Sequence, residues 1–178
     1  MHTPPDRSQA EARFRDVFVH LGGVTAYARR RGSADPEAIA AEAMAVAWRR
    51  LADVPADDAR PWLYATARNL LHAEWRQRQR LSSLRASDTD VSTAPVEWDE
   101  LEPRLAAAQQ ALPAIDREAL LLVAWEDLTP ALAARSLGIR EVTFRVRLHR
   151  ARRRFEAALA TPTATHRGLT HVPETEDR

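Results

Sequence analysis

The segment that most constrains the fold of this chain runs from residue 128 to residue 154. A short run of small and apolar residues leads to Gly138, which can adopt the left-handed backbone of a helix end. The following residues 140–154 contain seven arginines and one glutamate, a net charge of +6. Two helices joined in this way, the second strongly basic, indicate a helix-turn-helix whose second helix fits the major groove of DNA.

The overall composition favours helices and excludes several classes of protein. Lys plus Arg number 26 and Asp plus Glu number 25, so the net charge of +1 conceals the basic helix. Cysteine is absent, which excludes disulfides and cysteine-ligated zinc. No apolar run approaches the ~20 residues of a membrane span, and the N-terminus lacks the apolar core of a secretion signal. Abundant alanine and only five glycines predict an all-α, soluble and cytoplasmic protein.

Residues 11–80 predict a first small helical domain. Its first helix has one apolar stripe, formed by Phe14, Val17, Phe18 and Leu21. The pair Gly22-Gly23 is expected to interrupt this helix. Asp35 is expected to cap a helix that runs to about Leu51, with Pro36 at its first position. After a loop at residues 53–60, Pro61 opens a last helix that ends at Arg80.

Residues 81–100 differ abruptly from what precedes them. They contain five acidic residues and one arginine, a net charge of −4, and show no apolar period, so we predict a flexible acidic linker. Residues 101–160 predict a second helical domain, with helices at 101–112 and from Pro113, followed by the helix-turn-helix. Its core is expected to include Ile115, Ala119, Leu120, Leu122 and Val123. Residues 161–178 are expected to form a disordered tail.

Four segments, in order along the chain, resemble segments of the extracytoplasmic-function sigma factors, the smallest bacterial relatives of sigma-70. Residues 35–50 resemble the helix of that family that docks on core RNA polymerase, and residues 61–71 resemble the segment that follows it. Residues 112–122 resemble the opening of the family's C-terminal domain, and residues 143–152 resemble its recognition helix. The resemblance implies a sigma-2-like and a sigma-4-like domain, with core RNA polymerase, promoter DNA and an anti-sigma factor as candidate partners.

The spacing of apolar residues in the recognition helix predicts one buried face and one exposed face. The buried face is expected to carry Phe144, Leu148, Ala151 and Phe155, and the exposed face Glu141, Arg145, His149 and Arg152. Arg145 can reach base edges, where arginine binds guanine. The resemblance implies contacts with the upstream (−35) element at Arg145, Val146, His149 and Arg150. Contacts with phosphates, which carry no sequence information, are expected from Arg147, Arg152, Arg153 and Arg154.

The end of the first domain combines basic and aromatic residues, which suits a melted strand whose bases stack on rings. The resemblance implies contacts with the downstream (−10) element at Arg68, Asn69, Arg76, Trp62 and Tyr64, with a flipped base near residues 53–60. Trp62 and Trp75 could instead belong to the core, so Arg68 and Asn69 are the stronger candidates. The resemblance also implies a surface for core polymerase at Asp35, Glu37, Glu42, Trp48, Arg49 and Arg50, although capping alone explains Asp35.

Nothing in the sequence points to catalysis. Metal-ligand spacings, a nucleophile beside a base and a glycine-rich phosphate loop are all missing, so we expect no cofactor, no metal and no enzyme. A stand-alone helix-turn-helix regulator is a second hypothesis, which core-polymerase binding would decide. A third is a sigma-like protein that binds core without initiating, because Ala41, Met44 and Leu132 depart from the family pattern. Val146 departs from it in the recognition helix.

Overall fold

The computed structural model describes residues 7–84 and 103–160, and the long regular elements within them are α-helices. They are α1 (Arg7–Phe18), α2 (Leu21–Arg30), α3 (Pro36–Arg49), α4 (Arg60–Leu84), α5 (Pro103–Gln110), α6 (Ala114–Ala124), α7 (Pro130–Leu137) and α8 (Glu141–Ala160), with a 3-10 turn at Leu51–Asp53. The all-α prediction is confirmed for the described residues. Helix α4 passes the end predicted at Arg80, and the remainder of the predicted linker and the predicted tail lie outside the described residues.

Helix α3 begins as its sequence predicts. The Ala38 amide donates a hydrogen bond of 2.9 Å to Oδ1 of Asp35, and Pro36 is the first helical residue. The helix packs against α2 and α4 through small side chains that are fully buried, those of Ala40, Ala43 and Ala47. Alanine at these positions lets neighbouring helices approach closely without loss of helix propensity. Helix α3 therefore forms the centre of the N-terminal half.

The predicted break at Gly22-Gly23 is wrong. Both glycines lie inside α2, and the chain turns three residues earlier, at residues 19–20. The amide of Val24 already donates to the carbonyl of His20 at 3.0 Å. Both glycines fall in the first turn of α2, and burial of Tyr27 and its neighbours stabilises the helix that they begin. Tertiary packing, rather than local propensity, places this boundary.

The helix-turn-helix is formed by α7 and α8. Thr129 caps α7 by accepting a hydrogen bond of 3.3 Å from the Leu132 amide. Gly138 ends α7 with φ +64°, the left-handed conformation that the sequence predicts. This residue can be substituted only with strain, because side chains disfavour that backbone region. The two helices are thus set by a cap at one end and a glycine at the other.

The buried face of α8 agrees with the predicted spacing, whereas one predicted core residue of α6 does not. Phe144 and Ala151 are fully buried and Leu148 is nearly so, while Phe155 is half-buried. Helix α8 packs with these residues against α6 and α7. Ile115, which was predicted to lie in the core, is 45% exposed. The sequence periodicity correctly predicted helix α6, but it placed Ile115, in the first turn of that helix, on the buried face.

The two predicted domains pack against each other. Helix α4 packs on α7. A second contact is made by a set of side chains, here called the Arg31 cluster, that joins α2 to α6 and to the turn after α6. Its members are Tyr27, Arg30, Arg31, Glu118 and Glu126. Arg31 lies 2.8 Å from Glu118 and 2.9 Å from Glu126, and the three side chains are 10%, 14% and 2% exposed. Burial alone would lower the pKa of Arg31, but Tyr27 and the two carboxylates outweigh it and raise that pKa.

Tyr27 is the aromatic member of the Arg31 cluster. Its hydroxyl donates a hydrogen bond of 2.9 Å to Oε1 of Glu118, and the Arg31 guanidinium carbon lies 3.5 Å from the centre of its ring. Burial raises the pKa of Tyr27 well above the ordinary value of 10.0, and the neighbouring Glu118 carboxylate raises it further. The folded protein therefore retains this phenol proton at a pH where the unfolded chain loses it.

Tyr27 is expected to make the fold sensitive to alkali. Its stabilising contribution is fully present below about pH 10, the unfolded pKa, and falls as pH rises from there toward the raised folded pKa. In Tyr27→Phe, the free energy of unfolding should consequently decline less steeply between about pH 9 and pH 11 than in the unsubstituted protein. Urea titrations followed by circular dichroism would measure this slope. An unchanged slope in Tyr27→Phe would contradict the expectation.

Candidate nucleic-acid interface

Helix α8 presents a basic surface to solvent. It has 20 residues and so is about 30 Å long, enough to lie in a major groove. Its exposed arginines are Arg145, Arg150, Arg152, Arg153 and Arg154, and Arg147 is half-buried. His149 and Val146 are also exposed. All residues predicted for the upstream element therefore lie on α8, and all but the half-buried Arg147 are exposed.

Arg145 is exposed but already has a partner. Its Nε and Nη2 atoms lie 2.9 Å and 2.6 Å from Oε1 of Glu141, one turn earlier on α8. The two side chains are 66% and 42% exposed, and exposed pairs of this kind contribute only about 0–1 kcal/mol. A base edge or a phosphate could replace Glu141 at small cost. Without a ligand, however, the guanidinium points along one flank of the helix.

Asp116 ties the start of α6 to α8. It lies in the first turn of α6, where a carboxylate is favoured by the positive helix end, and it is buried. It accepts a hydrogen bond from Nη1 of Arg154, so the role predicted for Arg154 at phosphates competes with a structural one. Asp116 also lines a groove with Val142, Val146, Arg147 and Arg150. Asp116 lies three residues after Pro113, in the first turn of a helix predicted from the sequence, and this position could have marked it as a structural residue.

The candidate contacts with a melted strand all lie on α4, but one of them, Tyr64, is buried. Asn69 and Arg76 are exposed and Arg68 is half-buried, so polar groups are available on the helix surface. The structure contradicts the role predicted for Tyr64, whose side chain is buried and stacks on the Tyr27 ring with centroids 4.8 Å apart. A ring covered in this way cannot receive a base.

The two tryptophans of α4 differ in position. Trp62 is half-buried, and the Arg50 guanidinium carbon lies 6.0 Å from the centre of its ring. Trp75 is 45% exposed, so the alternative that it belongs to the core is wrong. Trp75 therefore offers base-stacking surface of the kind that the sequence assigned to Tyr64.

The loop before α4 is held by arginines. Asp58 pairs with Arg60 at 2.7 Å, and Asp57 pairs with Arg135 of α7 at 3.0 Å. Hydrogen bonds from these arginines lower the pKa of each aspartate. The second pair joins the loop where a flipped base was expected to the first helix of the helix-turn-helix. Nothing in the sequence near these residues indicates this contact.

The candidate docking surface lies on α3, and its members are all exposed: Asp35, Glu37, Glu42, Trp48, Arg49 and Arg50. Glu42 pairs with Arg49 at 2.8 Å, and Glu37 and Arg50 also form exposed ion pairs. Trp48 makes an edge contact with Phe14, whose ring centre lies 5.1 Å away, and Phe18 lies next to Phe14 at 5.9 Å. This exposed aromatic cluster combines α1 with α3, which sequence analysis did not predict.

Residues 104–155 match the family model described as sigma-70, region 4. This segment is a sigma-70 region 4 domain. It contains most of α5 through α8, with the whole turn and the basic helix. The comparison therefore assigns the helix-turn-helix to a family in which the sequence motifs had placed it by resemblance.

Solved structures share the fold of most of this chain, over more than the region 4 domain alone. "CnrH in complex with the cytosolic domain of CnrY" is 24% identical, with a TM-score of 0.60, over 85% of this chain and 93% of that one. "The sigma factor RpoE in complex with the anti-sigma factor NepR from Bartonella quintana" is 22% identical, with a TM-score of 0.61, over 82% of this chain and 94% of that one. The resemblance to sigma factors is confirmed for residues 104–155 by the region 4 match, and the solved structures show that most of the chain shares their fold. A sequence search of curated proteins returned no significant match.

Two further features are absent from residues 7–84 and 103–160, a metal site and a membrane span. Within them no three His, Asp or Glu side chains are grouped so that they could hold a metal ion. None of the described helices is long and apolar enough to cross a membrane.

Proposed function

We propose that this protein is a bacterial sigma factor that directs core RNA polymerase to specific promoters and initiates transcription in the cytoplasm. The observation that carries the proposal is a region 4 helix-turn-helix with an arginine-rich second helix, in a chain with the fold of a known sigma factor. The protein would perform no chemistry itself. Strand opening would draw on binding energy, and sigma factors are not a class of enzymes.

Helix α8 would bind the upstream element in the major groove. Arg145, Val146, His149 and Arg150 are the proposed base contacts, and Arg147, Arg152 and Arg153 are the proposed phosphate contacts. Arg154 is a weaker candidate, because Asp116 already accepts its hydrogen bond. Each arginine that neutralises a phosphate releases counterions, which makes affinity depend on salt.

Arg153 and Arg145 are expected to differ as mutants. Arg153→Ala should lower affinity about equally for all duplex sequences and reduce the salt slope by about 1, because it removes a phosphate contact. Arg145→Ala should change the sequence preference, by roughly 1–3 kcal/mol at one position. Fluorescence anisotropy with several duplexes at four salt concentrations would separate the two effects. Identical loss patterns in both variants would show that the contacts are assigned to the wrong sides of α8.

Helix α4 would bind the melted downstream element. Asn69, Arg68 and Arg76 supply polar and cationic groups on its surface, and Trp75 and the half-buried Trp62 supply rings. Base stacking on an aromatic ring contributes about 1–3 kcal/mol per base and tolerates any sequence. Asn69 is the strongest candidate for base recognition, because it is exposed, uncharged and able both to donate and to accept hydrogen bonds.

Core polymerase would dock on α3 and the aromatic cluster beside it. Asp35 allows a sharp test, because asparagine caps a helix as well as aspartate does. Asp35→Ala should cost about 1 kcal/mol of stability through loss of the hydrogen bond from Ala38, whereas Asp35→Asn should cost almost none.

Asp35→Asn should nevertheless weaken binding to core polymerase if the carboxylate contacts it. Urea unfolding and titration of labelled core polymerase would measure the two effects separately. Unchanged core affinity in Asp35→Asn would leave Asp35 with its capping role alone.

An anti-sigma factor is proposed as a regulatory partner. RpoE, which shares the fold, is in complex with the anti-sigma factor NepR. With no cysteine in the chain, direct thiol-based sensing is excluded, so a signal of that kind would have to act on the partner.

The deciding experiment is run-off transcription by bacterial core polymerase, with and without this protein, on fragments of its own genome. New discrete transcripts would establish the sigma activity and reveal both promoter elements. Core binding without transcripts would favour a sigma-like protein that does not initiate. Duplex binding without core binding would favour a stand-alone regulator.

A further inference from the structure

The centre of the outward surface of α8 is apolar in the N-terminal half of the helix. Phe144, Leu148 and Ala151 define the direction of the core, and at 3.6 residues per turn the opposite direction falls on Val142, Val146 and Arg153. Val142 is 73% exposed and Val146 is 48% exposed. They are four residues apart and therefore adjacent on the helix surface.

Arginines surround this apolar pair without covering it. Arg145 lies about a quarter turn to one side, where it is bonded to Glu141. Arg147 and Arg150 lie on the other side and line a groove of about 350 Å³ together with both valines. The valines thus occupy the middle of a cationic surface, in the N-terminal half of the helix that would enter the groove.

The chemistry of the major groove supplies one apolar group for such a pair. Base edges there present hydrogen-bond donors and acceptors, except for the 5-methyl group of thymine. A protein partner is a poor occupant, because the apolar area is only two side chains wide and a covering surface would also have to meet the arginines. Isolated exposed valines need no explanation, but two at the centre of a nucleic-acid-binding helix are placed where base edges would lie.

We propose that Val142 and Val146 recognise thymine 5-methyl groups in the upstream promoter element. The inference rests on the proposed function, since it requires α8 to enter the major groove. It adds Val142 to the contact residues and gives Val146 a specific chemical target. In this arrangement, the valines select thymine at one or two base pairs, beside the base contacts proposed for Arg145, His149 and Arg150.

The experiment removes the methyl group and nothing else. The full chain, with core polymerase if it requires it, would be used to enrich duplexes from a randomised pool. Each thymine in the enriched upstream element would then be replaced singly by deoxyuridine. Loss of one buried methyl contact should weaken binding about fourfold at one or two positions. In Val142→Ala or Val146→Ala, the same replacement should have almost no effect, because the protein half of the contact is missing.

Val19→Ala is the matched control, because Val19 is 72% exposed and lies outside the region 4 domain. That variant should retain the fourfold methyl effect. A methyl effect of equal size in all three variants, or none at any thymine, would overturn the valine assignment while leaving the sigma activity intact. Failure to enrich any sequence, even with core polymerase, would overturn the proposed function as well.

Discussion

Phe144→Ala is expected to destabilise the region 4 domain by about 3–5 kcal/mol, because it deletes a fully buried aromatic ring and leaves a cavity. Phe144 is the largest buried side chain of α8, and α6 and α7 both pack against that helix. A loss of this size is a large fraction of the 5–15 kcal/mol that stabilises a typical domain. Duplex binding should fall with it, since a loosened α8 no longer presents its arginines on one surface.

Urea unfolding followed by circular dichroism would measure the loss in Phe144→Ala. Phe18→Ala is the matched control, because it deletes the same atoms from a side chain that is 48% exposed. We expect a cost below about 1.5 kcal/mol for that control, since its ring is already half in water. Equal costs for the two variants would mean that Phe144 does not organise the packing of α8.

Arg31→Ala is expected to cost about 3–5 kcal/mol, because it leaves the buried Glu118 carboxylate without its ion-pair partner and Glu126 with Arg30 alone. The penalty comes from the uncompensated charge rather than from the value of the ion pair itself. Removing the carboxylates as well, in Arg31→Met with Glu118→Gln and Glu126→Gln, should therefore recover part of the stability. The non-additive difference would measure the coupling directly.

Small-angle scattering would show whether loss of the Arg31 cluster also separates the two halves of the chain. Arg49→Ala is the control for the unfolding measurement, because its pair with Glu42 is exposed, at 59% and 51%, and should contribute at most about 1 kcal/mol. If Arg31→Ala were no more destabilising than Arg49→Ala, the buried cluster would not hold α2 to α6.

The positions of several elements were predictable because their signals lie within one helical turn. Asp35 before Pro36 predicted the start of α3, and Gly138 predicted the end of α7, since capping and left-handed geometry depend on a few neighbouring atoms. The spacing of Phe144, Leu148 and Ala151 likewise predicted the inward face of α8. The resemblance to extracytoplasmic-function sigma factors extended these predictions to the expected partners.

Other features depended on which distant helices meet. Tyr64 is an aromatic residue in a basic segment, which suits base stacking, yet its ring stacks on Tyr27 and is buried. Ile115 has the apolar side chain of a typical core residue, yet it is exposed on the first turn of α6. Neither outcome is encoded in nearby residues, because burial is set by the helix that packs on each face.

The sequence alone therefore determined the helical class, the helix-turn-helix and the basic surface, through periodicity, capping and charge. Only the tertiary structure decided the Arg31 cluster, the bond from Arg154 to Asp116 and the central position of Val142 and Val146 on α8. These features join groups far apart in the chain or require the exact direction of the core. Such relations exist only once the helices have packed, because a buried charge or an exposed valine is defined by what surrounds it.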